Sequence, residues 1–413
     1  MHRAARTASV AVSLVTVAAL SACGGSGGED VAADQKQTLT VWAMGAEGEK
    51  LVDVAKEYRK ANPNITVKVT PVGWDVAHQK LVSAAAAGSL PDVMQMGSTF
   101  MGEFASLGVL EPVDTGKFTK DDFFPASWEG NVVDGTAYGV PWYVDTRVLY
   151  YRTDLAEKAG IDQAPADWKE LSALAEAYQK KADTKWGISL QPYNLDAWQN
   201  WLPFFYSAGG ELIKDGKPAL DSPAAVKALE EYRTYFDKGF AKKSVQPGYD
   251  VVKDFGNGSV PMFFSGPWQV TNIADNQPQL KGKWAAAPVP ADASATSFAG
   301  GSSLVISKKS EHKAAATDFV AYLSEADTQA DWFERTTDLP ANQAAWDDKR
   351  LSGNENLKVF REQMENAKAV PAMAEWAQFS SKIDAAIESV TQGKATPEQA
   401  AKKMQSETAG LVK

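Results

Sequence analysis

Apolar and polar positions follow two rhythms along the first hundred residues. "TLTVWAM" (38–44) reads as a strand, and Leu51, Val54, Ala55 and Tyr58 then recur at the spacing of one helical face. That helix is predicted to stop at Asn62-Pro63. In "ITVKV", Ile65, Val67 and Val69 alternate with polar residues as in a half-buried strand. A second helix runs up to Ala87-Gly88, and "PDVMQM" (91–96) is the next strand. This β-α-β-α-β order predicts an open, largely parallel sheet flanked by helices. Such sheets bind ligands beyond the carboxyl ends of their strands, so the loops 44–49 and 96–101 become candidates. The second half is more helical: Ala316, Phe319, Val320 and Leu323 share a helical face, as do Phe379, Ile383, Ile387 and Val390. Thr396 and Gln399 bracket Pro397 as the capping-box start of a last helix. "FFSGPWQV" (263–270) begins as a strand and turns a Ser-Gly-Pro corner onto Trp268. No repeat recurs at a fixed period.

The amino terminus changes the setting. Arg3 and Arg6 precede an apolar run over 10–20, and "LSAC" ends at Cys23, the only cysteine. The run is shorter than the roughly 20 residues a membrane span needs, so residues 1–22 read as a secretory signal. "LSAC" with "GGSGGED" resembles the lipobox of bacterial lipoproteins, which implies lipidation of Cys23 and anchoring to the membrane. Residues 23–37 read as a flexible tether. Within them Gly24 to Gly28 spells G-x-S-x-G, but no strand precedes it, so a nucleophile elbow is excluded on context.

The remaining 391 residues suggest two domains. Losing Arg3 and Arg6 moves the formal charge from −10 to −12, and an acidic chain argues against nucleic acid. Two histidines remain, His78 and His312, and no ligand-type residues sit at zinc spacing. No Gly-rich phosphate loop or calcium loop is present. No metal, no cofactor and no enzyme activity are therefore expected, although a glycosidase needs only two carboxylates.

Aromatic surface is plentiful, with 13 Trp, 12 Tyr and 17 Phe. Four aromatic stretches have polar neighbours: "PWYVDTR" (141–147), "QPYNLDAWQNW" (191–201), "SGPWQ" (265–269) and "AEWAQ" (374–378). A single tryptophan is more often core, but four such stretches point to a cleft for carbohydrate, whose C–H faces stack on rings and whose hydroxyls bond polar groups.

From Cys23 onward the chain resembles the extracellular solute-binding proteins of bacterial ABC sugar importers, the family that includes maltose-binding protein. "LTVWAMGAEGEKL", "LPDVMQM", "FASLGVLEPVD", "YGVPWYVDTRVLYYRTDL", "FGNGSVPMFFSGPWQVTNI", "FAGGSSLVIS" and "DLPAN" carry the resemblance. It implies a periplasmic-binding-protein fold of two α/β lobes, hinged around an interlobe cleft. The lobes are expected at 38–143 with 302–348, and at 144–301 with 349–413. The implied partners are a carbohydrate ligand and the transmembrane permease with its separate ATPase, and the protein is expected to be a monomer on the outer side of the membrane. The resemblance implies that Trp268 stacks on sugar and that Asp145 bonds its hydroxyls. It further implies ligand contacts from Glu47, Thr99, Phe100, Trp142, Tyr193, Trp198, Gly300, Gly301, Asp338 and Trp376. Met44, Ala46 and "GSTF" (97–100) depart from the polar pattern of a long maltodextrin site. Other readings are a peptide or polyamine binder, a lipoprotein glycosidase, and a ferric-ion binder using Tyr150 and Tyr151.

Overall fold

The computed structural model describes residues 35–193, 196–246 and 248–412. Cys23 and the residues before it lie outside that set. The first strand, β1 (Gln37–Met44), passes directly into the helix Gly45–Ala61, whose buried stripe contains Leu51, Val54, Ala55 and Tyr58. Asn62 caps it, its N–H bonding the Tyr58 carbonyl, which is where the sequence predicts the stop. Strand β2 (Ile65–Val72) lies parallel to β1, and the helix Trp74–Ala87 follows, closed by Gly88 in the left-handed conformation. Strand β3 (Val93–Gly97) lies parallel to β1 on its other side. The predicted β-α-β-α-β unit is thus present.

A hairpin, β4 (Val132–Val133) and β5 (Thr136–Ala137), leads into β6 (Val140–Thr146) and, across Arg147, β7 (Val148–Tyr151). A second hairpin, β8 (Ile213–Lys214) and β9 (Lys217–Pro218), precedes β10 (Met262–Ser265), β11 (Ala285–Ala287) and β12 (Ser297–Ile306). The last strands are β13 (Leu339–Pro340) and β14 (Ala367–Ala369). The main sheet runs β13-β6-β12-β3-β1-β2, with β14 paired to β12, and a smaller sheet runs β10-β7-β11.

Two lobes form around these sheets. Phe319, Val320 and Leu323 pack with Leu39 and Val41 against the main sheet. The helices Trp168–Lys181, Trp198–Ser207, Pro223–Asp237 and Trp376–Thr391 build the other core around the smaller one. The last helix, Pro397–Thr408, opens with the predicted capping box: Gln399 N–H bonds the Thr396 hydroxyl, and the Gln399 side chain accepts from Thr396 N–H. Both β6-β7 and β12 extend toward the second lobe, so polar residues on them lie where the lobes meet. Among the described residues no helix is long and apolar enough to cross a membrane.

Candidate ligand-binding cleft

A cleft of about 500 Å³ lies where the lobes meet. Its first wall is made at the carboxyl ends of β1, β2 and β3. The residues 44–49 are helical from Gly45, so Glu47 enters the cleft from the first turn of a helix. The Tyr143 hydroxyl donates to Glu47 Oε1 at 2.9 Å and accepts from Gln95 Nε2 at 3.2 Å. Gln95 is buried; it also donates to Ser302 Oγ and accepts from Met44 N–H at 2.6 Å, so its amide fixes the tyrosine. Burial holds the Tyr143 hydroxyl well above the usual phenol range, keeping it a donor. Ser98 and Thr99 follow β3 and line the cleft with Gly97.

Trp74 is the large aromatic of this wall. It starts the helix after β2 and remains 42% exposed. A Cβ on Gly45, whose φ is +52°, would come 2.7 Å from its indole, and one on Gly97 would come 3.6 Å from it. The missing Cβ at Gly45 therefore leaves room for the ring over the backbone, whereas the distance at Gly97 is ordinary contact.

The second wall centres on Trp268. After β10, Gly266 and Pro267 turn the chain, and the helix Trp268–Asn276 begins at the tryptophan. A Cβ on Gly266 would lie 2.0 Å from the indole and 2.6 Å from Asp145 Oδ1, so only glycine lets the ring fold back over the turn. The Tyr150 hydroxyl donates to the Gly266 carbonyl at 2.7 Å and pins it. Trp268 is 45% exposed. Arg147, buried between the lobes, places its guanidinium carbon 4.9 Å from the Trp268 ring centroid and 5.2 Å from that of Phe298. Its Nη1 lies 2.7 Å from both Asp145 oxygens, and its Nη2 donates to Gln199 Oε1.

The floor is the β6-β12 pair, with Val144, Asp145, Gly300 and Gly301. Gly301 has φ +119°, and a Cβ there would come 2.2 Å from the Tyr143 carbonyl oxygen, so the close approach requires glycine. Asp145 is pushed upward by burial, and Arg147 opposes the shift. Asp338 follows Thr337, which ends a helix at φ +67°, and accepts from Trp332 Nε1 at 3.1 Å. Burial, reinforced by the charge of Glu47, pushes Asp338 up to about 8. At neutral pH the carboxyl carries a proton it can donate.

The structure brings Glu47, Thr99, Asp145, Trp198, Trp268, Gly300, Gly301 and Asp338 to one cleft. Four other expected residues lie elsewhere. Trp142 is only 1% exposed and packs on Trp332 at 4.6 Å, because neighbouring residues on β6 face opposite ways and Tyr143 takes the cleft face. Phe100 turns its ring to His78, 4.9 Å away. The Tyr193 hydroxyl donates to the Val245 carbonyl and accepts from Val245 N–H, tying two loops together. Trp376 is buried between Phe379 and Trp198, backing the cleft rather than lining it. The Tyr150-Tyr151 pair is not a metal site: Tyr150 stacks on Phe263 in one core while Tyr151 belongs to the other. Among the described residues no group of three or more His, Cys, Asp or Glu is placed to hold a metal ion.

Sequence reasoning missed Trp74, Tyr143, Arg147, Gln199 and Phe298 as lining residues. Trp74 was accessible to it: "VGW" runs from the last residue of β2 to the first of the next helix, and the rule that selected the ends of β1 and β3 applies there equally.

The family model described as bacterial extracellular solute-binding protein matches residues 43–330, more than half of the chain. The chain belongs to that family. Its structure resembles the sugar-binding protein MalE of the phytopathogen Xanthomonas citri, with a TM-score of 0.86 and 34% identity over 91% of this chain and 97% of that one. It also resembles the GacH receptor of Streptomyces glaucescens, solved unliganded and with acarbose, at a TM-score of 0.80 and 27% identity over 91% of this chain and 98% of that one. A curated relative, the maltodextrin-binding protein MdxE of Bacillus subtilis, is 27% identical over 391 residues, covering 91% of this chain and 90% of that protein. The two-lobed architecture is that of these binding proteins, and this solute-binding protein has a polar-rimmed aromatic cleft between the lobes.

Proposed function

We propose that this solute-binding protein captures a mono- or oligosaccharide outside the cell and delivers it to the transmembrane permease of an ABC importer. The observation that carries the reading is a pair of half-exposed tryptophans, Trp74 from one lobe and Trp268 from the other, lining one cleft rimmed by Glu47, Tyr143, Asp145 and Gln199. Indole faces stack on the C–H faces of a sugar ring, and the rim offers partners for its hydroxyls. The protein does no chemistry on its ligand. Its lobes, 38–143 with 302–348 and 144–301 with 349–413, close on the sugar because the closed state binds it better, and the permease reads that closure. A lipid on Cys23 holds the monomer at the outer face of the membrane.

The test is a titration of the chain from Asp30 onward with a panel of neutral sugars, ferric ion, polyamines and short peptides, followed by intrinsic tryptophan fluorescence. One saturating sugar, recovered unchanged, is the expected result. Recovery of a cleaved sugar would make the protein a glycosidase, and saturation only by the other solutes would discard the sugar reading.

A further inference from the structure

We propose that Arg147 is the positioning residue of the cleft, a guanidinium strut that sets the plane of Trp268 and the orientation of Asp145 and takes no charge from the ligand. The proposal deepens the carbohydrate reading and rests on it for the ligand.

Arg147 stands at the crossing between β6 and β7, the one residue between a strand of the main sheet and a strand of the smaller one. Although it lines the cleft, it is only 6% exposed. Nη1 is held by both oxygens of Asp145 and Nη2 by Gln199, which comes from the first turn of the helix Trp198–Ser207. Its guanidinium carbon lies over the rings of both Trp268 and Phe298. A guanidinium whose amino ends are bonded inside the protein and whose face is covered by rings has little left for an outside anion. The same contacts make it a brace. Trp268 gains a rigid backing for its indole, and the Asp145 carboxylate is fixed opposite the strut, so both meet the ligand already ordered.

A consequence concerns ligand class. The carboxyl groups lining the cleft are those of Glu47, Asp145 and Asp338, and among the described residues no lysine or further arginine lines it. A sugar phosphate or uronic acid would meet carboxyl groups and no available cation, so the ligand is an uncharged sugar.

The titratable groups facing Asp145 are Arg147, Tyr150 on β7 and Asp338 beyond the helix Ala326–Thr336. Replacing Arg147 by methionine leaves only the Thr146 backbone hydrogen bond to oppose burial at Asp145, whose protonation then moves to higher pH. In an Asp338→Asn background, the pH at which sugar affinity begins to fall on acidification should therefore rise in R147M. R147K should bring that profile back, because it restores charge, without restoring the flat face against Trp268.

The ring itself is read without ligand by fluorine NMR of protein labelled with 5-fluorotryptophan, with Trp268 assigned from Trp268→Phe. Its resonance should move in both R147M and R147K while the melting temperature of R147K stays near that of the parent. For the neutral sugar found by titration, R147M should lose about tenfold or more in affinity at pH 7, equivalent to 1.4 kcal/mol. The corresponding uronic acid should bind the parent no better than R147M does. An unmoved Trp268 resonance, or a parent affinity and pH profile retained in R147M, overturns the proposal. If no sugar binds the parent, the carbohydrate reading fails, and the resonance alone still decides whether Arg147 sets the ring.

Discussion

The two tryptophans of the cleft are nearly equally exposed and very differently supported. Trp268 folds over Gly266, with the Arg147 guanidinium 4.9 Å from its ring and Tyr150 pinning the turn beneath. Trp74 lies over Gly45 and Gly97, and among the described residues no other ring or cation stacks on it. Both rings rely on missing Cβ atoms, yet only one is braced. A braced ring has less rotamer freedom to lose when a ligand arrives, so the same contact yields more affinity. The Trp268 wall therefore acts as a fixed platform, and the Trp74 wall as an adjustable one.

The largest expected effect breaks that comparison on its fixed side. Trp268→Ala should weaken sugar binding roughly 30-fold, about 2 kcal/mol, through lost ring burial and stacking. Calorimetric titration reads it, and a loss smaller than that of Trp74→Ala would reverse the ranking. Next comes Gly266→Ala, which adds one methyl where the indole must lie. It should cost about tenfold in affinity by turning the ring away while Trp268 remains present, an effect equal to about 1.4 kcal/mol. Trp74→Ala should cost only about three- to fivefold, or less than 1 kcal/mol.

The smallest effect sharpens the comparison on the adjustable side, where Asp338 and Glu47 share the wall. Asp338 sits at about 8 when folded, above the usual carboxylate value of about 3.9. Between those values the folded chain holds a proton that the unfolded chain has released, so stability falls as pH rises through that window. Asp338→Asn removes this penalty. Its melting temperature should match the parent near pH 4 and exceed it by on the order of 1–3 °C at pH 8 and above, by calorimetry. Equal melting curves at both pH values would show that Asp338 carries no such proton.

The element pattern was legible wherever one face of a strand or helix is buried. Leu51, Val54, Ala55 and Tyr58 give their helix away, and Thr396, Pro397 and Gln399 announce the last one, because capping and burial are local and periodic. The cleft was legible in part. Trp268 stands out because Ser-Gly-Pro after a strand reads as a corner, and Asp145 was reached through the family resemblance that "YGVPWYVDTRVLYYRTDL" carries. Trp142 and Tyr143 show the limit: an aromatic pair on one strand must split between core and cleft, and the sheet's packing partner, here Trp332, decides which goes in. Trp198 and Trp376 meet at 5.1 Å from helices far apart in sequence, so only the tertiary structure says that one lines the cleft and the other backs it. Arg147 escaped notice because, Asp145 apart, its partners Gln199, Trp268 and Phe298 are 50 or more residues away.

The most direct test of the account is a crystal structure of the protein with the neutral sugar selected by titration. The account predicts a sugar ring lying parallel to the Trp268 indole at about 4 Å, with hydroxyls on Asp145 and Glu47 and Arg147 still bonded to Asp145 and Gln199. A ligand seated away from Trp268, or one that draws Arg147 out of its bonds, would contradict it.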